Sequence, residues 1–212
     1  LSAQYANATF VVDVKSTGLY AIDPVLKANG AKVDYYKTGH SYIKRRTTEL
    51  DALAGFEKSG HFFFREPLGL GYDDGIVAGI AVLKMLDRNA GKQLSDLRKA
   101  LPVSFTSLTM SPHCDDEKKY AIVDQVIAQY QELAKTGGKI LGRTIRDVNT
   151  VNGARVTLGD GAWVLVRASS NKPELVVVVE SMSSDDDMRA RLDDLTKDAV
   201  PLGGPLPSSG KD

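Results

Sequence analysis

The sequence holds a single cysteine, Cys114, in 212 residues. One thiol cannot build an intrachain disulfide framework and is compatible with a reducing compartment, so a cytoplasmic setting is expected. No sign of charge dominates, because 27 Lys and Arg face 27 Asp and Glu. Nothing global therefore draws the chain to nucleic acid or to an anionic membrane, and any anion site must be local. No apolar run approaches the roughly 20 residues of a membrane span, and no signal peptide is visible. Internal repeats are lacking too. The chain begins at Leu1 rather than Met, which is compatible with a piece of a longer protein.

What is present is an ordinary water-soluble composition, 42% hydrophobic and 25% charged, at a length that suits one or two domains. The first block, residues 1–106, alternates strand and helix. Thr9–Val14 is a continuous apolar strand of the kind buried in a parallel sheet. A helix is expected over Leu19–Asn29, with Pro24 tolerated if Asp23 caps a start there and Gly30 ending it. Lys32–Tyr36 reads as a strand, Tyr42–Leu50 as a helix, and Leu53–Phe56 and Phe62–Phe64 as strands. This alternation predicts an α/β domain, a mixed sheet with helices. Ligands gather at the carboxyl ends of parallel strands, where Lys15, His40 and Glu57 all fall. A long apolar helix, Ile76 to about Arg88, and a short one over Leu94–Leu101 close the block.

The pattern changes after Phe105–Ser111. The second block, residues 107–200, predicts a smaller α+β domain. Asp115–Lys135 is one amphipathic helix with Tyr120, Ile122, Val123, Val126, Ile127 and Tyr130 on its apolar side, stopped at Thr136-Gly137-Gly138. Asn152-Gly153 between β-branched residues signals a hairpin. Ala162–Val166 and Leu175–Val179 are strands, with Trp163 expected to pack in the core, and a last helix runs from Ser183 to about Asp198. Residues 201–212, rich in Pro, Gly and Ser, are expected to form a flexible tail. No large unexplained apolar surface emerges from the patterning, and a monomer is expected.

Two polar loops carry the chemistry. Gly55-Phe56-Glu57-Lys58-Ser59-Gly60-His61 sets a carboxylate, a hydroxyl and an imidazole between glycines that allow a tight turn and close approach of a ligand. That set suits vicinal sugar hydroxyls, although a polar strand-loop-strand turn reads equally well. Arg167-Ala168-Ser169-Ser170-Asn171-Lys172-Pro173 joins two apolar strands. Its guanidinium, hydroxyls, amide and ammonium can meet one phosphate, or make an ordinary polar hairpin turn. Asp73 or Asp74 reads as a helix N-cap, with a metal role for the pair as the alternative, and Asp185, Asp186 and Asp187 suit the start of the last helix rather than a metal.

Taken in order, five motifs resemble those of the α-D-phosphohexomutase superfamily, specifically bacterial phosphomannomutase/phosphoglucomutase. They are Asp13-Val14-Lys15-Ser16-Thr17, Lys37-Thr38-Gly39-His40-Ser41, the Gly55–His61 loop, Gly71-Tyr72-Asp73-Asp74-Gly75 and the Arg167–Pro173 loop. The resemblance runs to about residue 200 and implies the third and fourth domains of a four-domain enzyme. It implies that Glu57 and Ser59 bind sugar hydroxyls. Lys15, His40 and His61 match active-site positions that touch sugar or phosphate and assist proton transfer. Arg167, Ser169, Ser170 and Asn171 would hold the non-reacting phosphate. The family loop commonly reads Arg-x-Ser-Asn-Thr-x-Pro, whereas this chain has Ser170 and Asn171, which preserves donor capacity but changes the donors.

The same resemblance implies parts that this sequence does not show. A phosphoserine loop reading Ser-His-Asn-Pro and an Asp-x-Asp-x-Asp Mg²⁺ loop are not found in it. The complete enzyme would interconvert the 1- and 6-phosphates of glucose or mannose through a bisphosphorylated sugar. It would use Mg²⁺ and a glucose 1,6-bisphosphate activator, with N-terminal domains 1 and 2 as the missing partners. No metal ligand is expected in this chain, and alone it is expected to bind hexose phosphate without turning it over. A phosphoglucosamine mutase, or a non-catalytic phosphosugar-binding module, is the alternative.

Overall fold

In the computed structural model, which describes residues 1–199, the first apolar run forms strand β1 (Thr9–Asp13). Its side chains alternate between two clusters. Phe10 joins Leu53, Ala54 and Phe64, while Val11 joins Ile43, Ala52 and Phe63. Burial of both faces is why this strand is apolar without interruption.

Helices α1 (Leu19–Ile22) and α2 (Pro24–Ala28) follow. The one helix expected over this stretch is broken at Asp23. Its carboxylate accepts the Leu26 amide at 2.8 Å, and Pro24 takes the first turn, where its missing N–H costs nothing. Next come β2 (Lys32–Tyr36), α3 (His40–Glu49), β3 (Ala54–Phe56), β4 (Phe62–Phe64), α4 (Gly75–Asp87) and α5 (Leu94–Lys99). Helix α3 starts ahead of the expected Tyr42, so His40 lies in its first turn rather than in the preceding loop. The sheet order is β2-β1-β3-β4, with β1 parallel to both β2 and β3, and β4 antiparallel to β3. Residues of α2 and α4 pack on the Phe10 face and α3 on the Val11 face, which makes three layers.

Helix α4 departs from what the patterning suggests. Val77, Ala78 and Ala81 pack on the sheet, yet no residue of the helix is fully buried, and Ile76, Ile80 and Leu83 are exposed at 77%, 46% and 66%.

This first unit ends at Val103 and a second begins at Ser104. The second contains β5 (Phe105–Thr106), α6 (Asp116–Lys135), β6 (Lys139–Ile140), β7 (Arg143–Asn149), β8 (Ala154–Leu158), β9 (Trp163–Ala168), β10 (Leu175–Ser181) and α7 (Asp185–Ala199). The strands form one antiparallel sheet, β5-β10-β9-β8-β7-β6. Phe105 and Thr106, at the close of the first block in the sequence reading, pair with Ser181 and Glu180 in this sheet. Val156, Leu158, Val164, Val166, Val177 and Val179 meet both helices in a single core.

In α6, Lys119 is buried with Ile122, Val123, Val126 and Tyr130, while Tyr120 is 57% exposed. Tyr120 is one residue, or about 100°, off the buried stripe, which corrects its expected place on the apolar side. Trp163 is buried as expected, but it also works as a polar tie. The Arg155 guanidinium lies 3.8 Å from the ring centroid, and the indole N–H donates to Glu180. Residues 201–212, expected to be a flexible tail, lie outside the described residues.

Candidate functional site

Parallel pairing of β1 with β2 and β3 brings the segments after Asp13, Tyr36 and Phe56 to one edge of the sheet. Asp13 holds them together. Its carboxylate is fully buried, and a buried charge must be compensated. It accepts from Ser16 Oγ at 2.7 Å, Thr38 Oγ1 at 3.3 Å and the Lys58 amide at 3.3 Å, and Lys15 Nζ stands 3.8 Å away. One carboxylate thus ties the loops of three strands. Sequence reasoning placed Asp13 in a motif without giving it this part; the available signal was an acid ending an apolar run.

The loop after β3 is closed by hydrogen bonds from the Glu57 amide to the His61 carbonyl at 3.0 Å and from the Gly60 amide to the Glu57 carbonyl at 2.9 Å. Gly60 takes φ of +91°, as its turning role requires. Gly55 serves differently from expectation, since it lies within β3. A Cβ there would stand 2.5 Å from Thr47 Oγ1 and 2.7 Å from Ile43 Cγ2, so its role is to let α3 sit close on the strand. Glu57 is buried, and its Oε1 accepts the Gly39 amide at 2.8 Å. Ser59 is exposed at the loop tip.

Two imidazoles flank this loop. The His40 and His61 rings stand edge to face, 6.2 Å between centroids, and His40 also packs edge-on against Phe63 at 4.9 Å. His61 Nδ1 is 2.6 Å from Asp73 Oδ2, and His40 Nε2 is 4.0 Å from the same oxygen. Of the acidic pair at the start of α4, only Asp74 caps the helix, accepting from the Ile76 and Val77 amides at 2.9 and 3.1 Å. Burial acts to raise the Asp73 pKa, but the hydrogen bonds from His61 and the Phe62 amide outweigh it and hold the carboxyl below its usual range. The edge therefore gathers Lys15, His40, Glu57, Ser59 and His61, groups that can bind hydroxyls, attract an anion and move a proton. A cavity of about 550 Å³ opens beside Thr9, Leu53 and Arg65, and none of these five residues lines it.

In the second unit Arg167 lies near the end of β9, half-buried, with Nη1 donating to the Ala168 carbonyl at 3.0 Å. The Ser169 amide donates to the Glu174 carbonyl at 3.0 Å; Ser169 is buried, and Ser170 and Asn171 are exposed beyond it. Sequence reasoning missed two supports of this loop. Lys119 Nζ, buried, donates to the Lys172 carbonyl at 3.0 Å and pairs with Asp116 at 2.5 Å. Gly153 lies beside the strand end, where a Cβ would stand 2.3 Å from the Val166 carbonyl oxygen and 2.5 Å from Arg167 Cβ.

Two of the three acids at the start of α7, Asp185 and Asp187, are matched by cations. Asp185 pairs with Arg189 at 2.6 Å, and Asp187 with Arg143 at 2.9 Å and Arg191 at 2.8 Å. Among the described residues, no group of three His, Cys, Asp or Glu is placed to hold a metal ion.

With this geometry in view, the likeness to known proteins is informative. Residues 1–105 match the phosphoglucomutase/phosphomannomutase alpha/beta/alpha domain III, and residues 113–197 match the phosphoglucomutase/phosphomannomutase C-terminal domain. The phosphomannomutase/phosphoglucomutase of Pseudomonas putida is 31% identical over 177 residues, covering 84% of this chain and 35% of that protein. The phosphoglucomutase of Neisseria meningitidis is 33% identical over 176 residues, covering 82% of this chain and 35% of its own length. A phosphoglucomutase/phosphomannomutase family protein from Burkholderia thailandensis superposes with a TM-score of 0.76 at 27% identity, over 97% of this chain and 40% of that one. The chain thus spans about a third of the curated relatives it matches. It belongs to the phosphoglucomutase/phosphomannomutase family and corresponds to that family's domain III followed by its C-terminal domain.

Proposed function

We propose that this chain supplies the sugar and phosphate recognition of a hexose-phosphate mutase acting between the 1- and 6-phosphates of glucose or mannose. The observation that carries this reading is the convergence of Lys15, His40, Glu57 and His61 on one sheet edge, held by the buried Asp13 and by the Glu57–Gly39 hydrogen bond. Glu57 and Ser59 would grip sugar hydroxyls. Lys15 would offset phosphate charge, and His40 and His61 would meet the sugar and exchange protons with it. Arg167, Ser169, Ser170 and Asn171 would receive the phosphate that is not reacting, with Arg167 as its cationic contact.

Phosphoryl transfer would draw on groups outside this chain. In this reading Mg²⁺, the phosphoserine and the glucose 1,6-bisphosphate activator belong to the complete enzyme and its first two domains. The exposed Ile76, Ile80 and Leu83 of α4 support an apolar partner of that kind. The chain alone would bind hexose phosphate in the cytoplasm without converting it.

Titration of glucose 1-phosphate into the isotope-labelled chain, followed by backbone amide shifts, tests this. Shifts over Gly55–His61 and over Ser169–Asn171 are expected. No shift at either loop at millimolar ligand overturns the reading.

A further inference from the structure

Asp73 makes two contacts that a helix cap does not need. Oδ1 accepts the Phe62 amide at 3.1 Å, and Oδ2 faces His61 Nδ1 at 2.6 Å. The cap itself is Asp74. Asp73 is therefore free of the helix it precedes, and it is held by the backbone beside His61.

The chemistry of the contact is directional. An ionised carboxylate only accepts hydrogen bonds, so the ring nitrogen facing it must carry a proton. In a neutral imidazole the other nitrogen then bears the lone pair. The His61 side chain is 47% exposed, so the ring is accessible to a ligand. Burial opposes the charge on Asp73, but the His61 and Phe62 hydrogen bonds keep its carboxyl ionised below the usual range.

We infer that Asp73 is a positioning residue that fixes His61 as the Nδ1–H tautomer, presenting Nε2 as the atom that accepts a hydrogen bond or proton from a bound sugar hydroxyl. The sugar part of this inference rests on the phosphosugar reading above; the tautomer part does not.

Asp73→Asn is the informative change. With its amide oxygen retained by the Phe62 N–H, the new NH₂ group faces His61 Nδ1 and donates to it, which forces the proton to Nε2. Long-range ¹H–¹⁵N spectra of the full chain, recorded where His61 is neutral, read the tautomer directly. The wild-type chain should show Nδ1–H. Asp73→Asn should show Nε2–H and bind glucose 1-phosphate about tenfold more weakly, the effect of one misdirected hydrogen bond. Asp74→Asn, which still caps α4, should leave the His61 tautomer unchanged.

Nε2–H on His61 of the wild-type chain overturns the inference without any variant, so a failure of Asp73→Asn to fold does not protect it. An unchanged tautomer in Asp73→Asn overturns it also, as does a switched tautomer with unchanged glucose 1-phosphate affinity. If the wild-type chain binds no glucose 1-phosphate while the tautomers behave as stated, the phosphosugar reading fails and the control of His61 by Asp73 is upheld.

Discussion

The Glu57 carboxylate accepts the Gly39 amide at 2.8 Å, so the loop after β3 holds the start of α3. Gly39 is the N-cap of α3 and has no side chain to offer. Glu57 plays, from the loop after β3, the part that a Glu three residues into a helix plays in a capping box. Recognition loop and helix position are thereby one structural unit. Glu57→Ala should cost about 1.5–3 kcal/mol of stability in the first unit, the range for a hydrogen bond to a charged group. Glu57→Gln, which keeps an acceptor oxygen, should cost less. Urea unfolding followed at assigned first-unit amides checks the order, and equal losses for both variants would refute it.

Gly55→Ala tests the close packing of α3 on β3. The new methyl would stand 2.5 Å from Thr47 Oγ1 and 2.7 Å from Ile43 Cγ2. Overpacking of this kind costs about 1–3 kcal/mol. The amides of His40 and its neighbours should shift with α3. Stability and spectrum both unchanged would mean that α3 can move away freely.

Acid should destabilise the second unit through Asp187. Burial works to raise its pKa, but hydrogen bonds from Ser181 Oγ and Arg191 Nε and the Arg191 charge bring the carboxyl from 3.8 down to about 2. Because the folded value is the lower one, this stabilisation is complete above the unfolded pKa and is lost as pH falls through the folded one. The shift corresponds to about 2 kcal/mol, an order-of-magnitude figure, lost between about pH 5 and pH 2. Trp163, the sole tryptophan, is buried in this unit and reports its unfolding by fluorescence. Asp187→Asn should flatten the denaturation midpoint against pH over that window, and an unaltered profile would remove Asp187 as the cause.

Arg167→Ala should weaken binding of inorganic phosphate, while Glu57→Ala should leave it unchanged, since in the proposed function Arg167 meets phosphate and Glu57 meets only sugar. Loss of one charge-assisted contact corresponds to roughly tenfold or more in affinity. Equal phosphate affinity after Arg167→Ala would exclude this arginine from the site.

Gly153→Ala reaches the same loop from below. Its φ of +85° disfavours any side chain, and the added Cβ would stand 2.3 Å from the Val166 carbonyl oxygen and 2.5 Å from Arg167 Cβ. The variant should lose about 1–3 kcal/mol, and it should shift the amides around Arg167. A stable variant with an unmoved Arg167 would show that the hairpin does not support the loop.

Local rules determined much of this protein from the sequence alone. The apolar run Thr9–Val14, the Asp23-Pro24 start, the Thr136-Gly137-Gly138 stop and the Asn152-Gly153 turn each depend on neighbours within a few residues, so they are legible one after another. The motif loops are legible for the same reason: their chemistry lies in contiguous residues. The partners of three charged groups, two of them buried, were decided only by the tertiary structure. Asp13 meets Lys58, Asp73 meets His61 and Lys119 meets Lys172, pairs separated by 45, 12 and 53 positions. Sequence pattern registers that a residue is charged, but which distant group compensates that charge depends on strand order and helix docking. The exposed face of α4 is of the same kind, because an apolar helix reads as buried until the fold shows what does, and does not, cover it.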